Sequence, residues 1–135
     1  MNARRLPEAQ AWRTAATNRI ELFQALDPGA RIGLIARSSP TQMLVWEVSA
    51  AGIDVRDTSF QGYSAAGVDL LLAADDEALA EIVTAVDGPL FEALRAGIRS
   101  GALVCYMLRR RCVLETLGYD ELLDALGFAF MGACR

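Results

Sequence analysis

The sequence predicts a small α/β domain: a mostly parallel sheet flanked by helices, with an extra helix at its N-terminal end. Three observations carry that expectation. Apolar residues recur at three- and four-residue spacing in several stretches, as in helices with one buried face. Short runs rich in Leu, Ile and Val, such as RIGLIAR and VDLLLA, have the character of buried strands. The joints are short and punctuated by Gly, Pro and Asp, as in chains that alternate strands with helices.

Residues 7–26 read as an amphipathic helix with Trp12, Ala16, Ile20, Phe23 and Leu26 on one stripe and Pro7 in the first turn, giving a helical extension over 1–28. Asp27-Pro28-Gly29 ends it, and Arg31–Arg37 follows as a strand. Ser39-Pro40-Thr41-Gln42 is a capping box: an N-cap serine, proline at the first helical position, and glutamine three residues after the cap. Met43, Leu44, Glu47, Val48 and Ala51 then continue a helix, and Gly52 stands where a left-handed C-cap belongs. With Ile53-Asp54-Val55 beginning the next strand, the segment reads as a βαβ unit with a right-handed crossover. The competing arrangement makes Met43–Val48 a strand in a meander. It gives Pro40 and Gly52 no role, so the helix is preferred.

Val68–Ala73 is a third strand or a helical turn. Asp75 or Asp76 caps a helix through Val86, with Leu79, Ile82, Val83 and Val86 on one face. Asp87-Gly88-Pro89 breaks it, and Pro89 opens another helix carrying Leu90, Phe91, Leu94 and Ile98, closed near Gly101. Ala102–Leu108 reads as a buried strand or as the start of a helix through Leu117; after Gly118, Tyr119–Leu126 makes a short helix. The apolar tail GFAFMGACR is a candidate edge strand. Without repeats or linkers, residues 1–135 are expected to form one domain.

The inventory excludes several function classes. The chain has no His, which removes His-ligated metals, Ser-His and Cys-His dyads and the usual near-neutral proton shuttle. Its basic residues are all Arg, and a Lys-free, Ala-heavy composition of this kind points to a GC-rich bacterial genome. A net charge of −4 argues against nonspecific nucleic-acid binding, which depends on clustered cations. No apolar stretch approaches the roughly 20 residues a membrane span requires, so no membrane partner is expected. Three Cys without a CxxC or a signal peptide imply a cytoplasmic protein with reduced thiols and no metal or cofactor. No paired-carboxylate spacing stands out, which makes a hydrolase the poorest fit.

In an open α/β sheet ligands gather beyond the carboxyl ends of the strands. Ser38 and Ser39 would sit there beside a helix N-terminus, where they either bind an anion or simply cap the helix. Arg109, Arg110 and Arg111 form the one dense positive run. It is either a solvated face or a set of cations that depress a nearby thiol pKa. Cys105 and Cys112 are either small buried hydrophobes or reactive thiols, and Cys134 is a tail residue.

RIGLIARSSPTQMLVWEVSAAGIDVRDTSFQG resembles the opening strand, helix and strand of the DsrE/DsrF-like sulfur-relay family, with Phe60-Gln61-Gly62 as its aromatic-Gly loop. GALVCYM resembles the strand that carries that family's cysteine in a Cys-x-Met setting, and LGYDELLDALGFAF the acidic, Leu-rich helix that follows. The resemblance covers about residues 31–62 and 101–130. The segment that holds Arg109–Arg111 and Cys112 is longer than the family pattern, which leaves Cys105 and Cys112 as alternative matches for the thiol.

The resemblance implies a sulfur carrier that accepts persulfide sulfur on a cysteine and passes it to a partner sulfur-transfer protein, in a small homo-oligomer. Cys105 would carry the sulfur, Arg109–Arg111 would support it, and Ser38 and Ser39 would line the cleft. Two other expectations stand beside it: a non-catalytic homo-oligomeric interaction or regulatory module, and an anion- or metabolite-binding domain.

Overall fold

A computed structural model describes residues 6–128. Helix α1 (Ala9–Thr17) leads through a single 3₁₀ turn (Ile20–Leu22) to strands β1 (Arg31–Ala36), β2 (Gln42–Ser49) and β3 (Gly52–Ser59). Strand β4 (Leu70–Ala74), helices α2 (Asp76–Ala85) and α3 (Leu90–Ser100), strand β5 (Leu103–Met107) and helices α4 (Arg111–Thr116) and α5 (Asp120–Ala125) follow. The strands form one five-stranded mixed sheet in the order β3-β2-β1-β4-β5.

Strands β1 and β4 lie at the centre, parallel to one another, and almost every residue in them is buried. This explains their unbroken apolar character, since a strand covered on both faces has no polar side to alternate with. One face carries Ile32, Leu34, Leu70, Leu72, Leu44 and Trp46 and packs against the helices. The other carries Ile35, Met43, Val45, Leu71 and Ala73. It is crossed by the segment between β3 and β4, from which Phe60, Ala66 and Val68 cover it.

The sheet is not mostly parallel: β1–β2, β2–β3 and β4–β5 are antiparallel, and β1–β4 is the one parallel pair. The expected βαβ unit is absent because residues 42–49 are a strand, not a helix. A helix with Met43, Leu44, Glu47 and Val48 inward would turn Val45 and Trp46 away from the core. The strand buries all of these apolar residues, sending Leu44, Trp46 and Val48 to the helix face and Met43 and Val45 to the other. Ser39 and Pro40 form a turn, with the Thr41 N–H donating to the Ser39 carbonyl at 2.9 Å, and Gln42 begins β2. Gly52, at φ +142°, serves the β2–β3 hairpin in place of a helix cap.

The N-terminal helix is also shorter than 7–26, for it ends at Thr17 and the stripe does not continue. Ile20 is 38% exposed, whereas Leu22 and Phe23 turn inward. In α2, Val83 is 44% exposed and faces away from the core. The remaining boundaries follow the sequence closely. Asp75 caps α2 through its carboxylate, which accepts from the Ala78 N–H at 2.8 Å, and α3 ends at Gly101. The segment between β5 and Gly118 resolves into a strand followed by a separate short helix. At Gly118, φ is +91° and a Cβ would meet the Ala25 carbonyl, so only glycine lets the α4–α5 joint pack on the chain before β1. The proposed tail strand lies almost wholly outside the described residues.

An aromatic cluster fastens the helices to β2. Trp12 and Trp46 stack with centroids 4.1 Å apart, and the Trp46 indole N–H donates to the Trp12 carbonyl at 2.7 Å. Phe23 meets Trp46 edge-on at 5.4 Å, and Phe91 of α3 stacks on it at 5.8 Å. Trp46 is 1% exposed and touches three separate elements, so truncating it leaves a large void. Trp46→Ala is expected to cost about 3–5 kcal/mol in urea unfolding with an unchanged m-value. A loss below about 1 kcal/mol would show that the cluster does not hold the helices down.

Candidate functional site

The registers place the residues singled out in the sequence. Ala36, Ala74 and Leu103 align at one end of the sheet, and Ile32, Leu70 and Met107 at the other. Ser38 and Ser39 lie beyond the first end and Arg109–Arg111 beyond the second, separated by the strand length, on the order of 13 Å. Cys105 sits between them, opposite Leu72. The structure does not bring these three groups into one cleft.

Ser39 lines an open cleft of about 380 Å³ with Leu6, Pro7, Ala36, Thr41, Gln42 and Asp57. No helix begins there, because Gln42 opens a strand, so the dipole expected to attract an anion is missing. The Ser38 hydroxyl instead donates to Asp76 at the start of α2, at 2.9 Å. That helix N-terminus already carries Asp75, Asp76 and Glu77. The acidic groups oppose an anion at this end of the sheet.

Cys105 is the free cysteine among the described residues, half-buried on the face that packs against the main core. Burial pushes its thiol up to about 12. It therefore holds its proton at neutral pH and lacks the thiolate that sulfur transfer requires. Cys112 is disulfide-bonded, a departure from the expectation of reduced thiols. Cys134 lies outside the described residues.

Arg109 serves a different group. Asp69, in the run that reads VDLLLA, is 6% exposed. Arg109 Nε donates to its Oδ1 at 3.0 Å, while the Tyr119 hydroxyl and the Arg31 N–H donate to Oδ2 at 2.7 and 3.1 Å. Burial first, then the hydrogen bond to Asp69, drive the Tyr119 phenol far above its ordinary range, so it stays a donor. Each of these partners comes from a different part of the chain: the start of β1, the end of β5, and the residue before α5. A second ion-pair chain continues from Arg31 through Glu47 to Arg56, at 3.2 and 2.8 Å.

Sequence reasoning passed over Asp69 and Tyr119. The available signal was the charge itself: an acid at the head of a strand buried on both faces must find donors. No group of three His, Cys, Asp or Glu side chains that could hold a metal ion occurs among the described residues.

The two edges of the sheet differ in how they are closed. At β3, alternation of the ladder turns the Ile53 carbonyl outward, and Arg13 of α1 donates to it at 3.1 Å. Asp54, Arg56 and Asp57 add charge along the same strand. At β5, Asp75 N–H donates to the Ala102 carbonyl at 2.9 Å and Leu108 N–H to the Asp69 carbonyl at 2.9 Å. The even-numbered residues of β5 thus pair with β4, and the main-chain groups of Leu103, Cys105 and Met107 point outward. No hydrogen bond among the described residues engages them. Strand β5 contains no charged residue, Pro or Gly, so it lacks the usual guards of an exposed edge.

The energetic ranking of the Asp69 cluster follows from burial. Asp69→Asn leaves the Tyr119 and Arg109 donors competing for one oxygen and is expected to cost about 2–4 kcal/mol; Tyr119→Phe should cost about 1.5–3. Arg109 is 51% exposed at its side chain, so Arg109→Gln should cost less than about 1 kcal/mol. Urea unfolding checks the order, and an Arg109 variant costlier than Asp69→Asn would refute it.

For Cys105, burial lifts the thiol from its ordinary 9.0 to about 12 in the folded chain. The stability this difference supplies is fully present below pH 9 and is lost as pH rises toward 12. Tyr119 adds a loss of the same sign above pH 10. Native Cys105 should resist iodoacetamide at pH 8 and react on unfolding. Cys105→Ala should remove part of the alkaline fall in stability. Rapid native alkylation would contradict the geometry.

No helix among the described residues is long and apolar enough to cross a membrane. No protein-family model matches the chain, and no curated protein matches it.

Proposed function

We propose that this protein is a non-catalytic interaction module that binds a partner segment as an added strand on β5. The observation that carries this reading is the asymmetry of the sheet. Its β3 edge is covered by α1 and charged residues, whereas its β5 edge offers outward main-chain donors and acceptors at Leu103, Cys105 and Met107. Strand addition draws affinity from such main-chain hydrogen bonds and selectivity from alternate side chains. Tyr106 adds an exposed aromatic beside the edge, supported by Tyr63 at 5.0 Å.

The sulfur-carrier reading draws less support, because Cys105 is protonated and Arg109 is committed to Asp69. An anion site at Ser38 and Ser39 draws less still, for want of a helix N-terminus after them.

A display library of extended nonapeptides of random composition tests the proposal. Peptides should be enriched that compete with one another and lose binding to Cys105→Pro, which removes one outward N–H from the edge while leaving the β4 ladder intact. Circular dichroism and the unchanged fluorescence of the tryptophan cluster would establish that the variant is folded. Failure to enrich any peptide would end the reading. So would a gain of one sulfur atom on Cys105, seen by intact mass after exposure to a persulfide donor.

A further inference from the structure

Three open clefts on this protein are lined in part by carboxylates. The cleft beside Ser39 carries Asp57, a second carries Glu77 and Glu81, and a third carries Glu8 and Asp87. A fourth, a groove of about 440 Å³, is lined by Tyr63, Ser64, Gly67, Val68, Leu108 and Arg109. It holds a guanidinium and no carboxylate among the described residues, a reversal of sign in a chain of net charge −4.

The parts of this groove are held in place from outside it. Arg109 is anchored through Nε on the buried Asp69, while its Nη1 and Nη2 meet no partner among the described residues. Both Asp69 oxygens are filled by donors, and Asp69 does not line the groove. A guanidinium fixed through Nε still offers its two terminal nitrogens as a planar fork, which a carboxylate accepts bidentately. Tyr63 is 43% exposed and is braced edge-on by Phe60 at 5.5 Å and Tyr106 at 5.0 Å, which fixes its ring as a wall. Gly67 and Val68 lie outside helix and strand, and their N–H groups make no hydrogen bond among the described residues. The Ser64 hydroxyl makes none either. Donors without acceptors therefore collect around this groove.

We propose that the groove binds a small monocarboxylate carried on a flat apolar body. The carboxylate accepts from the Nη1–Nη2 fork of Arg109, and the flat body lies against Tyr63, Val68 and Leu108. One guanidinium matches one negative charge. The next cation, Arg31, donates to the Gly67 carbonyl at 3.5 Å, but Glu47 already neutralises it. The volume suits a body of one or two fused rings. The site goes beyond strand addition and is separate from it, since none of Leu103, Cys105 and Met107 lines the groove.

Amide NMR titration of the wild-type chain with 2-naphthoate, 2-naphthamide and 2-naphthyl phosphate tests the site. 2-Naphthoate should shift the amides of Gly67, Val68, Leu108 and Arg109. It should bind roughly tenfold more tightly than 2-naphthamide at low salt, with the advantage shrinking as salt is raised. Arg109→Gln, whose side chain is half exposed, should fold and should bring the two ligands to equal affinity. Tyr63→Ala should weaken both alike, by roughly three- to tenfold.

Equal wild-type affinities for 2-naphthoate and 2-naphthamide would overturn the proposal, as would an advantage that survives Arg109→Gln. Shifts confined to residues away from the groove would overturn the site itself. Tighter binding of 2-naphthyl phosphate than of 2-naphthoate would overturn the monocarboxylate class and assign the groove to a dianion. Absence of shifts with all three at millimolar concentration would also overturn the proposal, and needs no variant to read.

Discussion

The fold turns on one buried carboxylate. Asp69 stands just before the central strand β4, where water cannot solvate it, and its stability there depends on three donors that local sequence cannot supply. Satisfying it requires the start of β1 on one side, the end of β5 on the other, and the α4–α5 joint closing above. The joint is set by Gly118, one residue before Tyr119, which alone permits the close approach to Ala25 that brings the phenol inward. Isolated charges in apolar interiors cost far more than a hydrophobic residue would. What this one supplies is alignment, since three distant segments must be in place together before its hydrogen-bonding capacity is filled.

The same arrangement decides what the arginines and cysteines can do. Once Arg109 is drawn to Asp69, it no longer supports the thiol that its sequence position suggested. Cys105, on the core-facing side of β5, becomes a packing residue whose proton is held by burial. What remains uncommitted on β5 is main chain: the outward groups of Leu103, Cys105 and Met107 meet no hydrogen bond among the described residues. These main-chain groups are the basis of the strand-addition proposal.

Helices α2 and α3 were legible almost to the residue, because aspartate caps, proline starts and glycine stops act within a few residues of where they are written. Strand β1 was legible from its unbroken apolar run, whereas the run that became β4 fitted a helical turn equally well. Residues 39–52 were not. Their capping box is a real local signal, but its worth is about 1 kcal/mol, while burying Trp46 and Val45 on opposite faces of a sheet is worth several. Trp46 was the clue, since it was the largest apolar residue in the segment and the proposed helix left it outside. The resemblance to the sulfur-relay family leaned on that same segment, and on a helix that does not form there.

The sequence by itself determined the inventory: an α/β composition, the missing His, the bounds of α2 and α3 and the buried strand β1. These depend on residue type and on contacts between near neighbours, which a linear pattern records. Only the tertiary structure decided strand order and direction, the partners of Asp69, and which edge of the sheet stays open. These depend on which distant segments compete for the same buried face and the same hydrogen bonds. That competition is settled by the total apolar area covered and the polar groups satisfied, which no local pattern of residues contains.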